Sequence, residues 1–306
     1  MEHVYDMIII GGGPAGYTAA LYASRAGFDT LILEKMSVGG QMMLTDVIDN
    51  YPGFPEGVDG FTLSQNMQMC AERFGAQTMY DEVVSVQLDG KIKEIETAFS
   101  GKLKAKTVVI ATGASPRELG LENEQELTGR GVHYCAHCDG RFYKDKVAVV
   151  IGGGNSAVSD ALYLSNLCEK VYLVHRRDEL RATKIYQKPL ENSKNIELCY
   201  NSVVSKIETD NGKLCSVILI DVETNLKREI ACDGVFISIG RKPETGFLDG
   251  ALELDKSGYI VADESTKTNI DGIFAVGDVR TKVLRQVVTA VADGAVAVHF
   301  AEEYLA

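Results

Sequence analysis

The stretch Gly11-Gly12-Gly13-Pro14-Ala15-Gly16 follows the apolar run Met7-Ile8-Ile9-Ile10 and leads into a segment rich in Ala and Leu. It recurs at an offset of 141, which carries Gly11 to Gly152: there the chain reads Gly152-Gly153-Gly154-Asn155-Ser156-Ala157, behind the apolar run from Val147 to Ile151. The same offset places Ala20-Leu21-Tyr22 on Ala161-Leu162-Tyr163, Ser24 on Ser165, and Leu31-Ile32-Leu33 on Tyr172-Leu173-Val174. One βαβ unit is therefore present twice. Short continuous apolar runs are the mark of strands buried on both faces of a parallel sheet. Strand, glycine turn and helix in that order make a dinucleotide fingerprint, because the glycines allow a tight turn and the helix N-terminus faces a pyrophosphate. The expected fold is α/β with two Rossmann-like nucleotide-binding domains. Gly11, Gly13 and Gly16 would line the first turn, and Gly152, Gly154 and Ala157 the second.

A second repeated signal gives the order of the domains. The apolar strand from Thr107 to Thr112 ends in Gly113-Ala114-Ser115-Pro116, and the one from Val235 to Ile239 ends in Gly240-Arg241-Lys242-Pro243. Such Gly and Pro punctuation suits crossings between domains. The expectation is one domain inserted in another: residues 115–244 inside a discontinuous domain made of 1–114 and 245–306.

The residue that closes the second strand of such a unit selects the nucleotide, since a carboxylate there accepts hydrogen bonds from ribose hydroxyls and repels a 2′-phosphate. In the first copy it is Glu34. In the second it is His175, followed by Arg176, Arg177 and, a helical turn on, Arg181. Arginine offers a planar, permanently charged fork to phosphate oxygens, so the second site is expected to prefer NADPH to NADH. A third segment, Thr268 to Asp278, reads as a short strand closed by Gly277-Asp278, where a carboxylate could accept bonds from a ribitol chain.

Cys135-Ala136-His137-Cys138-Asp139 lies in the inserted domain and spaces two thiols as a small redox disulfide requires. Zinc is the rival, with His133 and His137 as further ligands, but the other five cysteines are isolated and supply no second close pair. No metal is expected. Seven cysteines, an odd number, make a structural disulfide framework improbable. With 31 Lys and Arg against 43 Asp and Glu, the net charge of −12 opposes general binding to nucleic acid. No apolar run approaches the roughly 20 residues of a membrane helix, and Met1 to Asp6 lacks the pattern of an export leader. A cytoplasmic protein without membrane partners is expected.

Taken together, these motifs resemble the bacterial low-molecular-weight thioredoxin reductases, with matches spread over nearly the whole chain. The residues that carry the likeness are Gly11 to Gly16, Gly39-Gly40-Gln41, Asn50-Tyr51-Pro52-Gly53, Ala111-Thr112-Gly113, Cys135 to Asp139, Gly152 to Ala157, His175 to Arg177 with Arg181, Gly277-Asp278 and Arg285-Gln286. The resemblance implies FAD in the discontinuous domain, NADPH in the inserted one, thioredoxin as the protein partner, and a homodimer. It implies that Gln41, Asn50 and Thr112 approach the flavin, that Asp278 holds ribitol, and that Arg285, Gln286 and the main chain at Val287 border the isoalloxazine ring. It further implies that Cys138 faces the flavin, that Cys135 attacks the thioredoxin disulfide, and that Asp139 is the acid/base. One departure stands out: Arg141 occupies a position where the family often carries an aromatic residue on the face that grips thioredoxin.

Overall fold

The structure, a computed structural model, describes residues 3–45 and 47–306. Met1 and Glu2, on which the reading of the leader partly rests, lie outside the described residues, as does Asp46. The chain divides into two compact units, Met1–Ser115 with Lys242–Ala306, and Pro116–Arg241.

The first unit begins with β1 (Val4–Ile10), α1 (Pro14–Arg25) and β2 (Thr30–Glu34), with β1 and β2 parallel in a register that pairs Met7 with Thr30 and Ile10 with Leu33. Pro14 starts α1, where its missing N–H costs nothing. After a 3-10 turn at Gly40–Leu44 come α2 (Gly60–Glu72), β3 (Gln77–Tyr80), β4 (Val83–Gln87), β5 (Lys93–Thr97) and β6 (Gly101–Ile110). Asp59 caps α2, its carboxylate accepting from the Thr62 N–H at 2.8 Å. Two short strands mark the crossings, β7 (Ala114–Pro116) on the way out and, later, one on the way back.

The second unit continues with β8 (Val132–His133), α3 (Ala136–Asp139), β9 (Val147–Ile151), α4 (Asn155–Ser165), β10 (Lys170–Val174), α5 (Lys184–Glu191) and β11 (Ile196–Cys199). An antiparallel layer follows, β12 (Ser202–Asp210), β13 (Lys213–Asp221) and β14 (Lys227–Ala231), and then β15 (Gly234–Ile237). The chain returns through β16 (Arg241–Pro243) and completes the first unit with β17 (Ile273–Ala275) and α6 (Val287–Leu305).

The first sheet has the order β3-β2-β1-β6-β5-β4 with β17 also on β6, and the second the parallel order β11-β10-β9-β15-β8. Side chains alternate across each central strand. Met7 and Ile9 of β1 pack with the alanines of α1 and α6, while Ile8 and Ile10 pack on the opposite face with Leu88, Ile95 and Ile260. In the second unit Ala148 and Val150 of β9 face α4, while Val149 and Ile151 face the antiparallel layer through Ile207 and Val217. Each such fully buried Ile or Val contributes about 1.5–3 kcal/mol.

The structure differs from the sequence reading in detail. The strand around 107–112 starts at Gly101, because its first half pairs with β5 and only its last turn with β17. The strand read to Ile239 ends at Ile237, where the Ser238 hydroxyl turns to bond the Asp160 carboxylate. The return boundary falls at Lys242 rather than 245, since Glu244 is bound into the first unit: its N–H donates to Gly113 O at 3.1 Å and its carbonyl accepts from Thr112 Oγ1 at 2.7 Å.

Candidate active site and nucleotide sites

In the first glycine turn Gly11 has φ +110°, and a Cβ there would lie 2.5 Å from Ala111 O. Gly16 is held as closely, 1.9 Å from Gly11 O to where its Cβ would stand. Gly13, the N-cap of α1, has open space beside it. Glu34, at the end of β2, accepts from Gly12 N at 2.7 Å and from Met36 N at 3.0 Å, so the acid is locked to the turn. Gly39 N donates to Gly12 O at 2.7 Å and ties the 3-10 turn bearing the exposed Gln41 to the same place.

Asn50 is brought to the start of α6, where its amide donates to Gln286 Oε1 at 2.8 Å. Gln286 is the N-cap of that helix in a reciprocal capping box with Thr289, and Val287 is the first helical residue, its N–H without an intrahelical acceptor. The guanidinium of Arg285, just before the helix, lies over the Tyr259 ring at 4.0 Å and donates to Arg280 O at 3.2 Å. Gly277 and Asp278 form a 3-10 turn directly after β17. The turn is fixed by residues that the sequence reading missed. Asp293 of α6 accepts from Gly277 N at 2.8 Å, from Arg280 at 2.8 and 2.9 Å, and from Lys282 at 2.8 Å. An aspartate in the middle of the otherwise apolar run Val291-Ala292-Asp293-Gly294-Ala295-Val296 was the available signal.

The second turn repeats the first with altered chemistry. Gly152 has φ +149° and would meet Ser238 O at 2.4 Å, and Gly154 is again an open N-cap. Where Gly16 stood, Ala157 fits. His175 lies over Gly153, whose Cβ would fall 2.2 Å from Nδ1. Burial first, and then the charge of Arg181, hold the His175 imidazole below the usual histidine range, so it is neutral near pH 7. Its Nε2 is buried without a hydrogen-bond partner among the described residues. The loop beyond it is pinned to the turn, Arg181 N donating to Gly153 O at 2.7 Å and Thr183 N to Asn155 Oδ1 at 2.8 Å. Arg176, Arg177 and Arg181 are exposed, and among the described residues their guanidiniums make no hydrogen bond or ion pair. Three free cations are thus gathered beside an open helix N-terminus, an arrangement suited to a phosphate.

Cys135 and Cys138 are joined in a disulfide across α3, with Cα atoms 5.3 Å apart. Cys135 is the N-cap of that single turn and its carbonyl accepts from Cys138 N and Asp139 N at 3.2 and 3.1 Å. Both cysteines are half-buried, open enough for exchange, and Asp139 is buried. Asp139 Oδ2 lies 3.1 Å from Nδ1 of the buried His133, a contact the sequence reading did not foresee. The other five cysteines are unpaired. Burial pushes the Cys232 thiol up to about 12 and that of Cys168 to about 11, and raises Cys199 as well.

Two glycine-turn units, one of them carrying an exchangeable disulfide, define a pyridine nucleotide-disulphide oxidoreductase, and the family model of that description matches residues 5–294. Thioredoxin reductase of Peptoclostridium acidaminophilum is 45% identical over 311 residues, covering 100% of this chain and 98% of the relative. That of Bacillus subtilis is 44% identical over 304 residues, covering 99% and 96%. The crystal structure of thioredoxin reductase from Streptococcus pyogenes superposes with a TM-score of 0.91 at 43% identity, covering 100% of this chain and 99% of that one. Within the wider class, the chain belongs to the thioredoxin reductase family. Among the described residues no helix is long and apolar enough to cross a membrane.

Proposed function

We propose that this chain is an NADPH-dependent thioredoxin-disulfide reductase that binds FAD in the discontinuous unit and NADPH in the inserted one. The observation that carries the reading is the joint presence, in one unit, of the Cys135–Cys138 disulfide and a glycine turn whose closing acid is replaced by His175 and three arginines whose guanidiniums are unpaired among the described residues. Bound FAD and NADPH supply the hydride and electron-pair chemistry that side chains cannot.

The residues fit both groups. Gly11 and Gly16 keep the turn tight and Gly13 leaves open space at the start of α1, where a pyrophosphate would lie, with Glu34 to hold a ribose and Asp278 a ribitol chain. Gln41, Asn50, Thr112, Arg285, Gln286 and the N–H of Val287 border the ring. In the inserted unit Gly152, Gly154 and Ala157 form the cradle, while Arg176, Arg177 and Arg181 hold the 2′-phosphate and the neutral His175 keeps the turn closed.

Once the pair is a dithiol, the Cys135 thiolate attacks the thioredoxin disulfide, so that one S–S bond forms to Cys135 and the thioredoxin S–S bond breaks. The Cys138 thiolate then attacks Cys135 sulfur, restoring the internal disulfide and releasing the second thioredoxin sulfur. Asp139 supplies the proton to a departing thiolate. Two electrons and two protons leave with thioredoxin. The family resemblance also makes a homodimer the working form, which sedimentation of the purified protein checks.

Anaerobic titration of the yellow protein with NADPH and separately with NADH, followed by the flavin band, tests the reading. Bleaching is expected at low NADPH and only at much higher NADH. Arg181→Ala should raise the NADPH requirement about 10- to 100-fold, the worth of roughly 1.5–3 kcal/mol for a charged hydrogen bond, and leave the NADH response alone. Cys135→Ser should retain bleaching by NADPH and lose thioredoxin turnover. A flavin left oxidised by NADPH would sink the proposal.

A further inference from the structure

His133 is the last residue of β8, held in parallel register with Phe236 of β15, and its ring stacks on the Phe236 ring with centroids 5.2 Å apart. Its two nitrogens are both engaged inside the second unit: Nδ1 is 3.1 Å from Asp139 Oδ2 and Nε2 is 2.6 Å from the Tyr143 hydroxyl. Burial first, and then the charges of Asp139 and Asp233 and the Cys232 and Cys168 thiols, raise the Tyr143 phenol far above its ordinary value. The Asp139 oxygen facing Nδ1 is an acceptor, so the His133 proton is placed on Nδ1, and Nε2 is left to accept from the Tyr143 hydroxyl, which keeps its proton. Donors run one way, Tyr143 to His133 to Asp139.

We propose that His133 is a positioning residue for the disulfide half-reaction: it clamps one oxygen of Asp139, so that the proton transferred to the departing thiolate is carried on the other. This inference rests on the reading of Asp139 as the acid/base. In the step, the Oδ1–H bond of Asp139 breaks and a thioredoxin S–H bond forms; the resulting carboxylate keeps its bond from Nδ1–H, and His133 neither gains nor loses a proton. Other groups face the clamp from the elements packed against it. Phe236 is fully buried against the ring, Lys146 lies over the Tyr143 ring at 5.6 Å, Asp233 is bonded to Val147 N at 2.9 Å, and His137 is paired with Asp160 at 3.7 Å.

The test uses the full-length holoenzyme, reduced in advance and mixed with oxidised thioredoxin from pH 5.5 to 9, with flavin bleaching by NADPH as a separate readout of the other half-reaction. His133→Leu removes the clamp, and is expected to slow thioredoxin reduction about 10-fold and to move the limb of the pH profile that reports the proton donor by roughly half a pH unit or more. His133→Asn, whose amide nitrogen can stand where Nδ1 stood, should recover most of the rate and the parental limb. Tyr143→Phe, which removes only a hydroxyl, should move the limb in the same direction by less, and carries the test should the leucine variant fail to fold. A folded leucine or phenylalanine variant with the parental profile, or an asparagine variant as impaired as the leucine one, would overturn the clamp. Asp139→Asn is measured alongside: if it reduces thioredoxin at the parental rate, the acid/base reading itself fails and takes this inference with it, whereas its loss with an unchanged His133 profile removes the clamp alone.

Discussion

A single carboxylate, Asp293, holds two cations and a backbone N–H in the interior of the first unit, and it has little to spare. The side chains of Arg280, Lys282 and Asp293 are 2%, 6% and 8% exposed. Taking out one member of such a buried set leaves charge without compensation, at a cost of about 3–5 kcal/mol. Asp293→Asn should therefore lower the denaturation midpoint sharply and, because Gly277 N loses a charged acceptor, release flavin before the chain unfolds. Parallel melts followed by backbone ellipticity and by flavin fluorescence would show the two events apart. Burial alone would raise the Asp293 carboxyl, but the bonds from Arg280 and Lys282, the Lys282 charge and the Gly277 N–H outweigh it and hold it below the usual carboxylate value of 3.8. A group with a depressed folded value contributes stability that is present above its unfolded value and disappears as pH falls toward the folded one. Native protein should thus lose stability below about pH 4, and the asparagine variant should show a flatter acid limb. Asp293 was readable only as an acid in an apolar helix. Its partners Arg280 and Lys282 belong to no motif, and nothing in the sequence says which helix their loop will meet.

At the level of elements, the two glycine turns are copies with unequal tolerances. Gly16 stands where a Cβ would collide with Gly11 O at 1.9 Å, and its counterpart Ala157 is accommodated with no exposed surface. Gly16→Ala should cost about 1–3 kcal/mol through overpacking and lower the flavin bound per chain. Ala157→Gly should cost only about 1 kcal/mol, the difference in helix propensity. Thermal midpoints and flavin-to-protein absorbance ratios of the two variants separate the cases. These turns, their strands and their helices were legible because one pattern, repeated at a fixed offset, ties together residues that are close in sequence. The β4, β5, β6 extension and the antiparallel layer β12 to β14 were not. In β5 the core-facing set is Lys93, Ile95 and Thr97, so a charged residue occupies a buried position and spoils the alternation. Lys93 is satisfied by the carbonyls of Gly90 at 2.7 Å and Asp271 at 3.0 Å, the second of them far along the chain. The cysteine pair was legible from spacing, whereas the His133 contact was not, since an isolated histidine gives no sign of which carboxylate it will face.

For the whole molecule, chain order sets an order of completion. The unit Pro116–Arg241 is continuous and contains both faces of its sheet, with α4 on one and the antiparallel layer on the other. The unit around it cannot finish until β17 reaches β6 and α6 lies against Ala15 and Ala19 of α1, both after residue 242. A polypeptide of residues 116–241 should therefore fold alone with a cooperative thermal transition and bind NADPH. Residues 1–115 alone should stay expanded and bind a hydrophobic dye, with one face of β1 bare. Circular dichroism melts and dye fluorescence of the two pieces decide it, and a non-cooperative inserted piece would count against its independence.

The thiols left out of the Cys135–Cys138 pair bear on how such a protein survives its own chemistry. At neutral pH a thiol at about 12 is ionised in roughly one molecule in a hundred thousand, and one at about 11 in roughly one in ten thousand. Burial thus holds Cys168 and Cys232 in the thiol form, which is less reactive than the thiolate, and the buried Cys199 has its thiol raised too. Among the thiols outside the pair, Cys70 and Cys215 are exposed, and damage by oxidants and electrophiles should reach them before the buried ones.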